Sequence, residues 1–155
     1  MSFRGVATGV GLALVLVYAI GSGIWVSHSP GWYASLNRPP WQPPDVVFGI
    51  IWPYNFIVLG VSAFTVARNL PRAQIIIWLS IFAISIIAAL NWAYQFYVPH
   101  NLSIATLSLG ITAIFTVPIL LLTFRASTTV AFLLIPYQLW VAIATTLAWG
   151  YSVRN

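Results

Sequence analysis

The chain has 155 residues, of which 61% are hydrophobic and only 5% are charged, and its mean hydropathy is +0.95. A water-soluble domain needs about a quarter of its residues charged, so this composition excludes one. The formal net charge of +5 comes from arginines scattered singly along the chain, which does not favour nucleic acid as a partner, and the lack of cysteine excludes disulfides and thiolate chemistry.

Five apolar runs follow one another along the chain, each long enough to cross about 30 Å of hydrocarbon as a helix. They cover residues 6–26, 46–67, 73–98, 102–124 and 128–153. None alternates polar and apolar residues as the strands of a membrane barrel do. Only helices and closed barrels satisfy their backbone in lipid. The sequence therefore predicts an all-α, polytopic membrane protein whose single domain is a bundle of five transmembrane helices.

The first run also has the features of a cleavable signal peptide. Arg4 precedes the apolar stretch, and small residues gather at its end in Gly21, Ser22 and Gly23. A basic start, an apolar centre and a small-residue end are typical of such peptides. Cleavage would leave four spans instead of five.

The connection over residues 27–45 is the longest, and it carries five of the ten prolines. The other turns, at 69–71, 99–101 and 125–127, are short and predict tight helical hairpins. Long connections in a compact chain are usually functional. We therefore expect residues 27–45 to form a loop that covers a ligand site.

The arginines are distributed unequally between the two membrane faces that five spans define. Arg4, Arg68, Arg72 and Arg125 fall on one face, while Arg38 and Arg154 fall on the other. By the positive-inside bias, the first face and the N-terminus are predicted to be cytoplasmic.

Ionisable residues are nearly absent from the spans, which does not favour a proton- or ion-coupled pump. Asp45 stands at the head of the second span, where a carboxylate favours the helix N-terminus. His28 and His100 fall on one face of the membrane, where they are either solvated side chains or two axial ligands for a haem iron. Two histidines alone do not define a metal site, and we predict none.

Aromatic side chains are abundant and share helix faces with small or amide residues. The helical spacing of i, i+3, i+4 and i+7 groups them on three spans: Trp52, Asn55, Phe56 and Leu59; Asn91, Tyr94 and Gln95; Tyr137, Trp140, Ala144, Leu147 and Tyr151. Flat apolar walls with a few polar groups are typical of ligand pockets. Under a loop carrying Trp32, Tyr33 and Arg38, they predict a pocket for a planar molecule, with Arg38 available to a ligand carboxylate.

Three plainer interpretations stand beside that pocket. Trp and Tyr near span ends commonly form the interfacial aromatic belt. Asn55 and Gln138 are expected to hydrogen-bond between helices. The aromatic faces can also form a core that packs only on itself.

Two stretches resemble the translocator protein family, also called the tryptophan-rich sensory protein or TspO family. They are WYASLNRPPWQPPDVVFGIIW, from Trp32 to Trp52, and IPYQLWVAIATTL, from Ile135 to Leu147. Asn91 also matches the family's third helix. The chain departs from the family at Tyr94, where a Trp is usual, and at Ala148, where many members have Asn.

The resemblance implies a five-helix bundle, commonly dimeric, that binds porphyrin or haem as a ligand and requires no cofactor. It places the pocket at Tyr33, Pro43, Trp52, Phe56, Asn91, Trp140 and Ala144. Together with the faces above, the predicted ligand-binding set also includes Trp32, Arg38, Tyr94 and Leu147. The family further implies Trp140, with Tyr33, as the residues of a light-driven porphyrin degradation. A bacterial cell membrane is the expected location.

Three functions remain open at this point. The first is binding of tetrapyrroles and similar flat hydrophobic molecules, for sensing or transport. The second is a light- and oxygen-dependent enzyme that degrades porphyrin, and the third is a ligand-free structural or chaperone-like subunit. The expected partners are the flat ligand, membrane lipid and a second copy of the chain, which the small-residue pairs Gly5/Gly9 and Ser85/Ala89 would contact.

Overall fold

The computed structural model describes residues 2–155, and its regular structure over that range is entirely helical. The helices are α1 (Phe3–Val26), α2 (Pro30–Ser35), α3 (Asp45–Asn69), α4 (Arg72–Tyr97), α5 (Leu102–Ala126) and α6 (Thr128–Ser152). All except α2 are long and apolar enough to cross a membrane. The predicted all-α bundle of five transmembrane helices is therefore confirmed.

The short helix α2 lies inside the connection that the sequence predicts as a loop without helix. Pro30 is its first residue, and the fixed φ of proline suits the first helical position. The helix ends after six residues at Ser35. The rest of the connection up to α3 has no regular structure and contains one turn, in which the Gln42 N–H donates to the Pro39 carbonyl at 3.1 Å.

The long helices form one bundle. Helix α5 packs between α4 and α6, α1 packs against α3 and α4, and α3 closes the bundle against α6. Gly11 permits the closest approach of α1 to α3, because a Cβ there would lie 2.7 Å from the Cβ of Ala63. The contact therefore requires a residue without a side chain at position 11.

Polar groups at the helix ends fix where the long helices begin. Ser2 and Asn101 accept backbone N–H bonds at the starts of α1 and α5, as N-cap residues do. Ser127 is both the last cap of α5 and the first cap of α6. One residue therefore makes the whole turn between these two helices.

Prolines lie inside three of the spans, at Pro53, Pro118 and Pro136. An internal proline removes a helical hydrogen bond and disturbs the preceding turn. Near Pro136 the hydroxyl of Tyr54 donates to the carbonyl of Leu133 at 2.6 Å. Helix α3 thus supports the disturbed turn of α6, as neighbouring helices do in membrane bundles.

One of the two small-residue pairs expected at a dimer contact is used inside the chain. Ser85 and Ala89 are buried in the core, and the Ser85 carbonyl accepts a bond from Thr112 of α5 at 3.4 Å. Buried in this way, Ser85 and Ala89 are not exposed to a second copy of the chain. Gly9 faces open space on the outside of α1.

Candidate functional site

A cavity of about 310 Å³ lies at the end of the bundle beneath α2 and the proline-rich loop. Every helix except α5 contributes to its wall, and the loop adds Gln42. The lining residues are mostly aromatic: Val26, Pro30, Tyr33, Gln42, Asp45, Phe48, Trp52, Trp92, Phe96, Tyr97, Trp140, Ala144, Leu147, Ala148 and Tyr151. Such a volume and lining are typical of small-molecule sites.

Trp52 of α3 forms the centre of the aromatic wall. Its ring is stacked with that of Trp92 at a centroid distance of 6.0 Å and an interplanar angle of 18°. Trp140 of α6 stands perpendicular to Trp52, at 6.3 Å and 90°, and Phe48 meets Trp140 edge-on at 5.2 Å. These walls present both ring faces and ring edges, the two geometries in which aromatic groups associate.

Small residues of α6 leave the space in front of these rings. Ala144 and Ala148 lie one and two turns beyond Trp140 on the same face of the helix, and both line the cavity. Larger side chains at these positions would fill part of the cavity.

Helix α2 closes the cavity through a hydroxyl and amide cluster. The Gln42 amide donates to the Tyr33 hydroxyl at 3.3 Å, and the Tyr151 hydroxyl lies 3.2 Å from that of Tyr33. Tyr151 also hydrogen-bonds to the Gln42 carbonyl oxygen. Loop, α2 and α6 are thereby joined directly above the aromatic walls.

The loop is also anchored to the end of α6. The backbone N–H of Asn37 donates to the Asn155 side chain at 2.8 Å, and the Asn37 amide donates to the Arg154 carbonyl at 3.3 Å. The guanidinium of Arg154 lies 5.6 Å from the Trp41 ring centroid. These contacts hold residues 37–41 against the last turn of α6. We call α2 and the loop that follows it, residues 30–44, the cover of the cavity.

Opposite charges stand at the mouth of the cavity. The Arg38 guanidinium lies 3.4 Å from a carboxylate oxygen of Asp45, and the two side chains are 46% and 73% exposed. An ion pair this exposed contributes little to stability. Its significance is that it is the only ion pair among residues 2–155 and that Asp45 belongs to the lining of the cavity.

The indole N–H of Trp140 is a buried hydrogen-bond donor without a partner among residues 2–155. The residue is only 4% exposed, and its indole N–H has no acceptor among the described residues. A buried donor without a partner is costly.

Five of the predicted ligand-binding residues line this cavity: Tyr33, Trp52, Trp140, Ala144 and Leu147. The others do not. Trp32 and Phe56 lie in a second layer, where Trp32 packs on Phe96 at 5.7 Å and Phe56 stacks on Trp52 at 5.8 Å. Arg38 and Pro43 belong to the cover, where Arg38 lies over the Tyr33 ring at 5.9 Å.

Asn91 and Tyr94 face away from the cavity, contrary to the predicted set. The Asn91 amide donates to Ser108 of α5 at 2.7 Å, and Tyr94 is exposed beside Trp25 of α1. Trp92 and Phe96 take the cavity-facing positions on α4 instead. One residue corresponds to a rotation of about 100° on a helix. The side of α4 that lines the cavity is therefore rotated by about one residue from the predicted side.

The lining residues that sequence reasoning missed still carried a signal. Phe48 precedes Trp52 by four residues and Phe96 follows Trp92 by four, so each pair shares a helix face. Tyr151 was placed on the correct face of α6 but not in the predicted binding set. Gln42 had no sequence signal, because its position depends on how the loop folds back.

The two histidines are not part of the cavity wall. His100 stacks on Trp32 with a centroid distance of 3.7 Å and an interplanar angle of 10°, and His28 is exposed near the end of α1. Neither is placed to ligate an iron held in the cavity. Among residues 2–155 no group of three metal-ligating side chains occurs.

Comparison with known proteins agrees with the motifs around this site. The model of the TspO/MBR family matches residues 10–154. The chain belongs to the TspO/MBR family. The matched region includes the cover, the aromatic walls, the helices α3 to α6 and α1 from residue 10 onwards.

Named relatives of this TspO/MBR chain occur in bacteria and animals. The tryptophan-rich protein TspO of Bacillus cereus is 32% identical over 79% of this chain and 80% of its own. The membrane protein YtaB of Bacillus subtilis is 32% identical over 91% and 92%. The human translocator protein is 28% identical over 91% and 85%. Family membership and the five apolar helices make the protein an integral, multi-pass membrane protein.

Proposed function

We propose that this TspO/MBR protein binds a tetrapyrrole or a similar flat hydrophobic molecule in the aromatic cavity, for sensing or transport, in a bacterial cell membrane. The proposal rests on the wall built by Trp52 and Trp140. Their perpendicular rings offer stacking and edge contacts to a conjugated plane.

The size of the cavity defines how such a ligand would sit. At about 310 Å³ it is at the lower end of the volumes of ligand sites. A macrocycle would therefore be enclosed along one edge, with its opposite edge at the mouth. Arg38, exposed at that mouth, would pair with a carboxylate on the outer edge.

A dark titration of the detergent-purified protein with protoporphyrin tests this proposal. Quenching of the tryptophan fluorescence should saturate. Trp52→Ala should weaken binding because it removes the central ring of the wall, whereas Trp149→Ala should not, since Trp149 is 54% exposed and lies outside the cavity. No saturable quenching in the unmodified protein would favour a ligand-free structural role.

A second candidate function is light- and oxygen-dependent degradation of the bound porphyrin. The observation that favours it is that Trp140 and Tyr33, two oxidisable rings, line the same cavity and would touch the ligand. Illumination in air should then bleach the porphyrin absorbance. Trp140→Phe should keep most of the binding and lose the bleaching, whereas bleaching that persists in Trp140→Phe would exclude this role for Trp140.

A further inference from the structure

A second concave surface lies on the outside of the bundle, between α1 and α3. It is an apolar groove of about 550 Å³ whose walls include Leu12 and Leu16 on one side and Phe56 and Phe64 on the other. The span from Phe56 to Phe64 corresponds to about 12 Å along the helix. The groove shares no lining residue with the aromatic cavity.

Gly60 gives the groove its depth on α3. It lies midway between Phe56 and Phe64 and lines the groove. A Cβ at this position would meet only the Leu12 side chain, at 3.5 Å. A larger side chain at position 60 would therefore occupy the groove without displacing the backbone.

Three arginines gather at the end of the groove where α3 finishes. The Arg68 guanidinium lies 5.1 Å from the ring centroid of Phe64, which is itself a groove residue. Arg4 donates to the carbonyl of Ala67 at 2.7 Å and to that of Arg68. Arg72 lies 4.8 Å from the ring of Phe3, the residue next to Arg4.

No carboxylate of the chain can neutralise this cluster. The sequence holds a single acidic residue, Asp45, which is paired with Arg38 at the opposite end of α3. Its distance along the helix from Arg68 is about 35 Å, several Debye lengths at physiological salt. The counter-charge for the three exposed arginines must therefore come from outside the chain.

We infer that this groove and Arg4, Arg68 and Arg72 form a binding site for an anionic phospholipid. One acyl chain lies along the groove from Phe64 towards Phe56, and the phosphate meets Arg68 and Arg72 at its end. Each arginine near a membrane surface attracts anionic lipid. A second copy of the chain in parallel orientation is disfavoured as the occupant, because it would bring its own arginines to the same level.

Native mass spectrometry of the full chain, released from detergent and titrated with lipid, tests this site. The two probes are palmitoyl-oleoyl phosphatidylglycerol and the phosphatidylcholine with the same acyl chains. We expect the phosphatidylglycerol to bind about tenfold more tightly. Arg68→Gln should reduce that preference about fivefold. Arg4 is left intact because its side chain bonds to α3.

The matched control is Arg125→Gln. Arg125 is also exposed and lies in the last turn of a helix, on the same face of the membrane, but on α5 away from the groove. It should leave the preference unchanged. Equal losses in Arg68→Gln and Arg125→Gln would show attraction to the whole face and would overturn the site.

The Gly60→Leu variant tests the contribution of the groove to lipid binding separately from that of the arginines. It should weaken binding of both lipids while keeping the preference for phosphatidylglycerol. Unchanged binding in Gly60→Leu, or displacement of the lipid by inorganic phosphate at equal concentration, would show that the acyl chain does not lie in the groove. Either result would overturn the inference.

Discussion

Three amides in the bundle show how differently a polar side chain can be accommodated in the membrane interior. Asn91 donates to Ser108 at 2.7 Å, and Gln138 donates to the Ala113 carbonyl at 3.1 Å, as expected for interhelical pairing. Asn55 is fully buried, yet neither atom of its amide has a partner among the described residues. The expected interhelical bond of Asn55 is therefore not formed.

This contrast predicts opposite effects of the same substitution at Asn55 and Asn91. Asn55→Leu should raise the melting temperature in detergent, because it removes an unsatisfied buried group of similar volume. Asn91→Leu should lower stability by about 1–3 kcal/mol, because it leaves a partly buried hydroxyl without its donor. A loss of stability in Asn55→Leu equal to that in Asn91→Leu would mean that Asn55 is hydrogen-bonded.

Gly150 is a second residue with a specific requirement. A Cβ on Gly150 would lie 2.7 Å from Pro39 and 2.8 Å from Trp41, both in the cover. Gly150→Ala should therefore displace the loop, lower the stability by about 1–3 kcal/mol and weaken ligand binding. Gly110→Ala is the control, since its Cβ would meet only Thr145 at 3.7 Å and alanine favours the helix. Equal melting temperatures of the two variants would contradict the close packing at Gly150.

The cover is attached to α6 at two places, one directly above the cavity and one at the outer edge of the loop. The hydroxyl and amide cluster of Tyr33, Gln42 and Tyr151 lies above the cavity. The pair Asn37 and Asn155 lies at the outer edge, with the Asn155 amide donating back to the Asn37 carbonyl at 3.4 Å. Opening the outer attachment should let the loop move without altering the walls.

Asn155→Ala should accordingly speed the dissociation of a bound porphyrin. It removes the acceptor of the Asn37 N–H, and a cover that opens more often releases its ligand faster. Stopped-flow fluorescence measures this rate, and Asn69→Ala, an exposed asparagine at the far end of α3, provides the control. An unchanged dissociation rate in Asn155→Ala would show that this attachment does not limit release.

Helices and cover differ in how well the sequence predicts them. An apolar run of this length satisfies its backbone hydrogen bonds in lipid by forming a helix. Each long helix therefore lies close to its predicted bounds. The position of residues such as Gln42 and Asn37 depends on tertiary contacts with α6, which no local pattern encodes. Helix α2 was missed for a similar reason, since six residues show no helical period and only Pro30 marks the start.

The rotation of helix α4 is the part of the site where the predicted residues and the cavity lining differ most. The helical spacing allows two different faces of α4. One is polar and aromatic and holds Asn91, Tyr94 and Gln95, and the other is aromatic and holds Trp92 and Phe96. An all-round apolar helix gives no amphipathic reference by which to choose between such faces. Contacts with α5, where Asn91 meets Ser108, decide the rotation.

In the molecule as a whole, the two ends of the helix bundle differ in their aromatic and charged residues. The end beneath α2 holds the aromatic cavity and the only ion pair among residues 2–155. The opposite end of α3 holds three arginines without a carboxylate partner. The proposed ligand site and the proposed lipid site therefore share no lining residue.

The central claim is that the cavity holds a tetrapyrrole against Trp140. The most direct measurement is the dissociation constant of protoporphyrin in the dark for the unmodified protein, Trp140→Ala and Trp149→Ala, from fluorescence quenching. Loss of the Trp140 ring from the cavity wall should weaken binding about tenfold or more in Trp140→Ala, with Trp149→Ala unchanged. Equal affinity in Trp140→Ala and the unmodified protein would contradict the claim.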